Sequence, residues 1–260
     1  MNTTRRLAAL TLAVVSAFSL SACEGVTITS GEIPQMPSVS FPSEPASDLP
    51  APVNAARVQG ALDVLDTIPA KGRAPMTGYD RDLFGARWTD DNMADLGGLS
   101  RNGCDTRNDI LARDLADEVL AKGGCKVLSG TLADPYTGTV IDFLCGADAL
   151  TTGKCESKAA AKVQIEHTVA LGDAWAKGAQ GWSEEQRTAF ANDPMNLQAV
   201  DGPANMGKGA GDAATWQPAN KAYRCEYNLQ QVEIKAKYGL WMTQAEKDAV
   251  RTNINACPVG

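Results

Sequence analysis

Six cysteines, Cys104, Cys125, Cys145, Cys155, Cys225 and Cys257, are spread through the later part of the chain, and they limit its fold more than any other feature. An even set of cysteines in an exported protein implies three disulfides, and such staples hold loop-rich structure together. Six cysteines permit fifteen pairings, and spacing alone does not choose among them. Joining sequence neighbours across two predicted elements gives Cys104–Cys125, Cys145–Cys155 and Cys225–Cys257 as the expected connectivity. No two of these cysteines stand two to four residues apart and the chain has one histidine, so structural zinc is not expected.

The start of the chain carries the evidence for export. Arg5 and Arg6 precede a short apolar run, Leu7 to Leu20, followed at once by small residues. Leu20-Ser21-Ala22-Cys23 then reads as a lipoprotein cleavage site, with Cys23 as the lipidated residue. The rival reading is an ordinary signal peptide cut after Ala22. Both place the mature protein outside the cytoplasm, anchored in the cell membrane by lipid or secreted. Residues 1–22 are thus the signal peptide and 23–54 a tether. Pro34, Pro37, Pro42, Pro45, Pro50 and Pro52 alternate there with serines and small residues, among the acidic Glu24, Glu32, Glu44 and Asp48. Such a stretch buries too little apolar area to offset its ordering entropy. Residues 55–260 remain for one domain with a sizeable core. The chain carries a net charge of −7 and no basic run, which argues mildly against nucleic acid as a partner.

Periodicity predicts a helix from Asn54 to Ile68, a second from Asp105 to Lys122, and late helices over 221–238 and 243–255. Strands are predicted over 126–131 and 139–144, with the turn Asp134-Pro135-Tyr136-Thr137-Gly138 between them. The segment 161–167 alternates, with Val163, Ile165 and His167 on one face and Gln164 and Glu166 on the other. For Glu166 and His167 to serve one site, this strand must end or bulge at that pair. Ser183-Glu184-Glu185-Gln186 and Thr243-Gln244-Ala245-Glu246 read as capping boxes. Asn196 to Val200 is a short predicted strand, and Pro203 is placed to open the next helix.

His167 is the one histidine, and imidazole is the usual proton acceptor in hydrolysis. Its orientation is expected to be set by a hydrogen bond from the facing strand. Glu166 and the Asn205 side-chain carbonyl are oxygen ligands of the type hard divalent cations prefer. Lys208, one turn beyond Asn205, is placed to meet a phosphate as a point charge, and Arg107 is a second candidate clamp. Trp175, Trp182 and Trp216 are expected in the core.

Ile165-Glu166-His167, Met195-Asn196-Leu197 and Ala204-Asn205-Met206-Gly207-Lys208-Gly209, taken in order, resemble the HNH endonucleases with the ββα-metal fold. A wider set is similar to exported bacterial proteins related to the C-terminal nuclease of GmrSD restriction enzymes. Its pieces are Tyr79-Asp80-Arg81, Cys104-Asp105-Thr106-Arg107, Asp134-Pro135-Tyr136-Thr137-Gly138, Asp173-Ala174-Trp175 and Ala191-Asn192-Asp193-Pro194. The resemblance spans roughly residues 76–257. It implies an α+β domain, mostly helical around a ββα-metal core. His167 would be the general base, Asn196 the support of the histidine-bearing loop, and Glu166 and Asn205 the ligands of one divalent metal. That metal would be magnesium, with manganese or calcium as alternatives. Many relatives have aspartate in place of Glu166 and histidine in place of Asn205. The implied activity is hydrolysis of nucleic-acid phosphodiesters by a monomeric endonuclease, with DNA ahead of RNA. The rivals are a non-catalytic surface lipoprotein that binds a ligand or partner, and an exported hydrolase of another class.

Overall fold

The computed structural model describes residues 52–91, 101–156 and 161–260. The signal peptide, Cys23 and nearly all of the tether lie outside the described residues. Helix α1, Ala55–Thr67, opens where Asn54 accepts from the amides of Ala56 and Arg57, and it stops at Ile68, immediately before Pro69. Its buried Ala61 and Leu65, followed by Ile68, pack against α7, Arg224–Lys237, and α8, Gln244–Asn255. Arg57 adds a double fork from α1 to α7, pairing with both Glu226 and Glu233. The disulfides are Cys104–Cys125, Cys145–Cys155 and Cys225–Cys257, with Cα separations of 5.2, 4.6 and 5.3 Å. The neighbour pairing expected from the sequence is the one observed, and its third bridge ties the start of α7 to the residues just after α8.

The second predicted helix is only half a helix. Helix α2, Thr106–Asp114, is capped by Asp105 and ends at Leu115, and the chain then runs as strand β1, Ala116–Leu120. β1 is the edge of a three-stranded antiparallel meander with β2, Val127–Ala133, and β3, Val140–Leu144. Leu115 keeps its buried place beside Ile110 and Leu111, so the helical stripe is real as far as that residue. Beyond it every β1 side chain is exposed, and backbone pairing with β2 decides the conformation. Gly130 permits the close approach, since a Cβ there would lie 2.9 Å from Leu115 Cδ2 and 3.2 Å from the Ala116 carbonyl.

A short helix, α3, Ala149–Thr152, follows the meander. Strand β4, Val163–His167, then pairs antiparallel with β5, Leu197–Asp201, in unbroken register from Val163↔Asp201 to His167↔Leu197. Between them the chain makes an excursion through α4, Leu171–Ala176, and α5, Glu184–Ala191. The capping box at Ser183 and Gln186 is present in both directions. Helix α6, Gly202–Lys208, follows β5 directly, with Pro203 in its first turn and Asp201 as its cap. Asp134 ties the meander to this unit: it takes the Thr137 amide and hydroxyl on one oxygen and the Asp201 amide on the other.

The predicted capping box of α8 is half present. Thr243 accepts from the Glu246 amide, but the Glu246 carboxylate turns inward to Lys177 and Lys235. Asp173, Lys177, Asp212, Lys235 and Glu246 form a buried charge cluster, with half-exposed Arg73 at its edge. It joins α4, α7, α8 and the loop after α6. Trp175 is buried beside Phe84 and Phe190, and Trp216 packs on Tyr136 and Tyr227.

Candidate active site

Strand β4 ends at His167, and that ending brings its two faces to one cleft. Val163 and Ile165 point into the core with Leu197 and Ala199. Gln164 and Glu166 point the other way, toward α6. Glu166 and His167 therefore leave the strand on opposite faces with no bulge. Both line a cleft of about 260 Å³ that also includes Tyr79, Arg81, Gln164 and Asn205.

His167 is buried, with its ring stacked on Trp88 at 6.0 Å between centroids and 15° between planes. Its Nε2 lies 2.8 Å from the Ala191 carbonyl. A carbonyl only accepts, so Nε2 carries the hydrogen, and the neutral ring presents Nδ1 as the acceptor. The partner is not on the facing strand as expected. It is the last residue of α5, where a helix leaves carbonyls without partners of its own. Burial, reinforced by the nearby charges of Arg81 and Lys208, lowers the imidazole to about 3 and keeps it neutral. Asn196 is fully buried and brackets Val169, accepting from its amide at 2.8 Å and donating to its carbonyl at 3.3 Å. The Asn196 carbonyl also accepts from Thr168, so the chain just past His167 is held at three points.

Glu166 is buried and ion-paired with Lys208. Tyr136 donates to the same oxygen, Oε1, at 3.5 Å. Burial pushes the Glu166 carboxyl up, and Lys208 opposes that shift. Burial and the neighbouring Glu166 hold the Tyr136 phenol well above its ordinary value, so it stays a donor. Lys208 also donates to the His167 carbonyl at 3.0 Å. Its side chain is enclosed, so it does not offer its ammonium to a phosphate in the cleft. The expectation that Lys208 meets substrate is corrected on that ground: an ammonium beside a buried carboxylate is kept there by the desolvation cost of separating the two.

Asn205 is half-buried on α6 and donates its Nδ2 to Gln164 Oε1 at 2.8 Å. The Asn205 carbonyl is thereby the end of that amide left for a ligand. Glu166 is the second candidate oxygen ligand at this wall: Lys208 and Tyr136 meet its Oε1, and the His167 amide also bonds the carboxylate. One carboxylate and one amide oxygen at the wall of an open cleft fit a hard divalent ion that keeps several waters. Among the described residues no group of three or more His, Cys, Asp or Glu side chains could hold a metal.

Arg107 lies elsewhere. It lines a separate cavity with Asn108, Lys126 and Glu156 and reaches the Val163 carbonyl at the far end of β4, 3.4 Å away. Burial lowers its guanidinium below the ordinary arginine value. The expectation that Arg107 clamps phosphate at the histidine is corrected by that distance along the strand. Arg81, Gln164 and Trp88 were not among the sequence candidates, although each touches the histidine or its cleft. The alternation that put Gln164 on the Glu166 face was the available signal for one of them.

A family model for the C-terminal domain of GmrSD restriction endonucleases matches residues 105–252. A protein of Arthroderma benhamiae described as an uncharacterized secreted protein is 32% identical over 212 residues, covering 80% of this chain and 90% of that relative. No solved structure matches the chain. Among the described residues no helix is long and apolar enough to cross a membrane. On the strength of the matched span, the chain belongs to the family of GmrSD restriction endonuclease C-terminal domains.

Proposed function

We propose that this protein is an exported, metal-dependent endonuclease that hydrolyses nucleic-acid phosphodiesters with His167 as general base. The observation that carries the reading is the histidine's hydrogen bond to Ala191, which fixes the tautomer with hydrogen on Nε2 and leaves Nδ1 the acceptor of a ring that lines one cleft with Glu166 and Asn205. Nδ1 takes a proton from the attacking water as the water oxygen bonds to phosphorus, the opposite phosphorus–oxygen ester bond breaks, and the departing alkoxide takes a proton from solvent. Asn196 keeps the histidine-bearing segment in place while the proton moves. β4, β5 and α6, in the order strand, strand, helix, would form the ββα-metal core. Glu166 and Asn205 would hold one divalent metal, magnesium before manganese or calcium, which supplies a Lewis acid at a phosphate oxygen. The reading takes a monomer acting on DNA ahead of RNA.

Export is supported by three disulfides, which persist in oxidising compartments, and by the secreted relative. The lipid anchor on Cys23 belongs to the same reading. Wild-type protein should fractionate with membranes and Cys23→Ala should not. Wild-type protein recovered wholly from the medium, with an unmodified N-terminus, would exclude the anchor.

The test of catalysis is cleavage of duplex DNA and of RNA with magnesium or manganese, against the same mixture with EDTA. EDTA should stop the reaction, and His167→Ala should lower its rate by on the order of a hundredfold or more. Unchanged cleavage by that variant would refute the assignment. A folded wild type that cleaves neither polymer would favour the non-catalytic lipoprotein.

A further inference from the structure

We propose that Arg81 is the phosphate-binding residue of this site, an inference that rests on the nuclease reading above. Arg81 and His167 both line the main cleft, with Glu166 and Asn205, and a second hollow beside Trp88 and Asn192. A group reaching both hollows stands where a phosphate meets the histidine.

The backbone under Arg81 is fixed. Arg81 opens a short 3-10 turn, Arg81–Phe84, that is capped by the Asp80 side chain accepting from the Asp82 amide at 2.9 Å. Phe84, 1% exposed, plugs this turn into the aromatic core, and Arg187 donates to the Leu83 carbonyl at 2.8 Å. The side chain itself is exposed, and among the described residues it has no ion pair or hydrogen bond. Among the described residues the other cations near the site have acidic partners within the protein: Lys208 has Glu166, Lys177 and Lys235 have the buried acids, and Arg87, at the second hollow alone, has Asp82 at 4.0 Å. A chain of net charge −7 needs a local cation to admit a polyanion next to Glu166, and among the described residues that line the main cleft Arg81 is the one cation without an ion pair. Its planar fork suits two phosphate oxygens at once, which an ammonium does not.

The test uses the full-length protein carrying His167→Ala, so that fluorescently labelled duplex DNA is bound without being cut, with anisotropy read over a range of salt. Adding Arg81→Ala should weaken binding at least tenfold and reduce the salt slope by about 1, the signature of one lost phosphate contact. Arg81→Lys should fall between, because it keeps the charge and loses the fork. In the catalytically intact background Arg81→Ala should lower kcat/KM by about a hundredfold with an unchanged melting temperature. Arg81→Gln serves if the alanine variant does not fold. Unaltered affinity and slope in Arg81→Ala, while the His167→Ala protein binds DNA, would overturn this inference and leave the nuclease reading standing. If the wild type neither binds nor cleaves nucleic acid, the nuclease reading falls and Arg81 falls with it.

Discussion

Glu166, proposed above as a metal ligand, is also held by an ion pair inside the protein. Lys208 and Tyr136 both address Oε1, and the His167 amide also bonds the carboxylate. Lys208→Met leaves a buried carboxylate without its counter-charge and should cost about 3–5 kcal/mol in denaturant unfolding. The double variant Lys208→Met, Glu166→Gln should recover much of that loss. A Lys208→Met protein of normal stability with only a raised KM would mean instead that the lysine works on substrate. On the proposed reading, Glu166→Gln and Asn205→Ala should each raise the metal concentration needed for activity, since each would remove one ligand oxygen from a sparse set. Titration calorimetry giving wild-type divalent affinity in both would remove these residues as ligands.

At the level of elements, two glycines make opposite predictions from similar sequence contexts. Gly130 lies in β2 where a Cβ would press on Leu115 at 2.9 Å, so Gly130→Ala pushes β2 away from Leu115 and the start of β1. The expected cost is about 1–3 kcal/mol, as for other overpacked sites. Gly60 lies exposed within α1 with nothing within 4 Å of a built Cβ. Gly60→Ala should therefore stabilise the protein by roughly 0.5–1 kcal/mol through helix propensity. Urea melts of the two variants check both signs, and stabilisation by Gly130→Ala would show that β1 does not crowd β2 as described. The run that reads as one helix over 105–122 breaks at Leu115 for a different reason. Its first half has a core to face, and its second half has only a sheet edge to join.

Across the whole molecule, the buried charge cluster makes acid stability a property of the fold. Burial alone would raise the Asp212 carboxyl, but the bond from Lys177 overrides it and brings the group down to about 2. A folded pKa below the ordinary 3.8 means stability present above that value and lost as pH falls through about 2. Asp212 should account for about 2 kcal/mol of that loss, and Asp173 shifts in the same direction. Lys235 runs opposite: burial lowers it, yet Asp173 and Glu246 raise it above the ordinary lysine value, so its contribution is lost only on the alkaline side. Unfolding free energies measured from pH 7 to pH 2 should fall most steeply below about 4, and less so in Asp212→Asn. An identical acid limb in that variant would contradict the assignment. Opening the Cys225–Cys257 bridge, which spans 32 residues, should cost about 3–4 kcal/mol by loop-closure entropy. Paired cysteine-to-alanine variants would measure it.

Local chemistry in the sequence sufficed for whatever depends on neighbours along the chain. The capping box at Ser183, the meander hairpin around Asp134 to Gly138, and the strand–strand–helix order of β4, β5 and α6 follow from period, turn residues and capping. The disulfides join sequence neighbours 21, 10 and 32 residues apart, but spacing alone leaves fifteen pairings open and the fold selects this one. Contacts between distant segments were decided only by the tertiary structure. His167 donates its hydrogen bond to the Ala191 carbonyl across a long excursion, Lys208 is withdrawn from the cleft by Glu166, and Arg81 arrives there from a turn 86 residues upstream of His167. No periodicity encodes such meetings. Each depends on which buried polar group finds a partner once the core has closed, and that is settled by packing and desolvation over the whole chain.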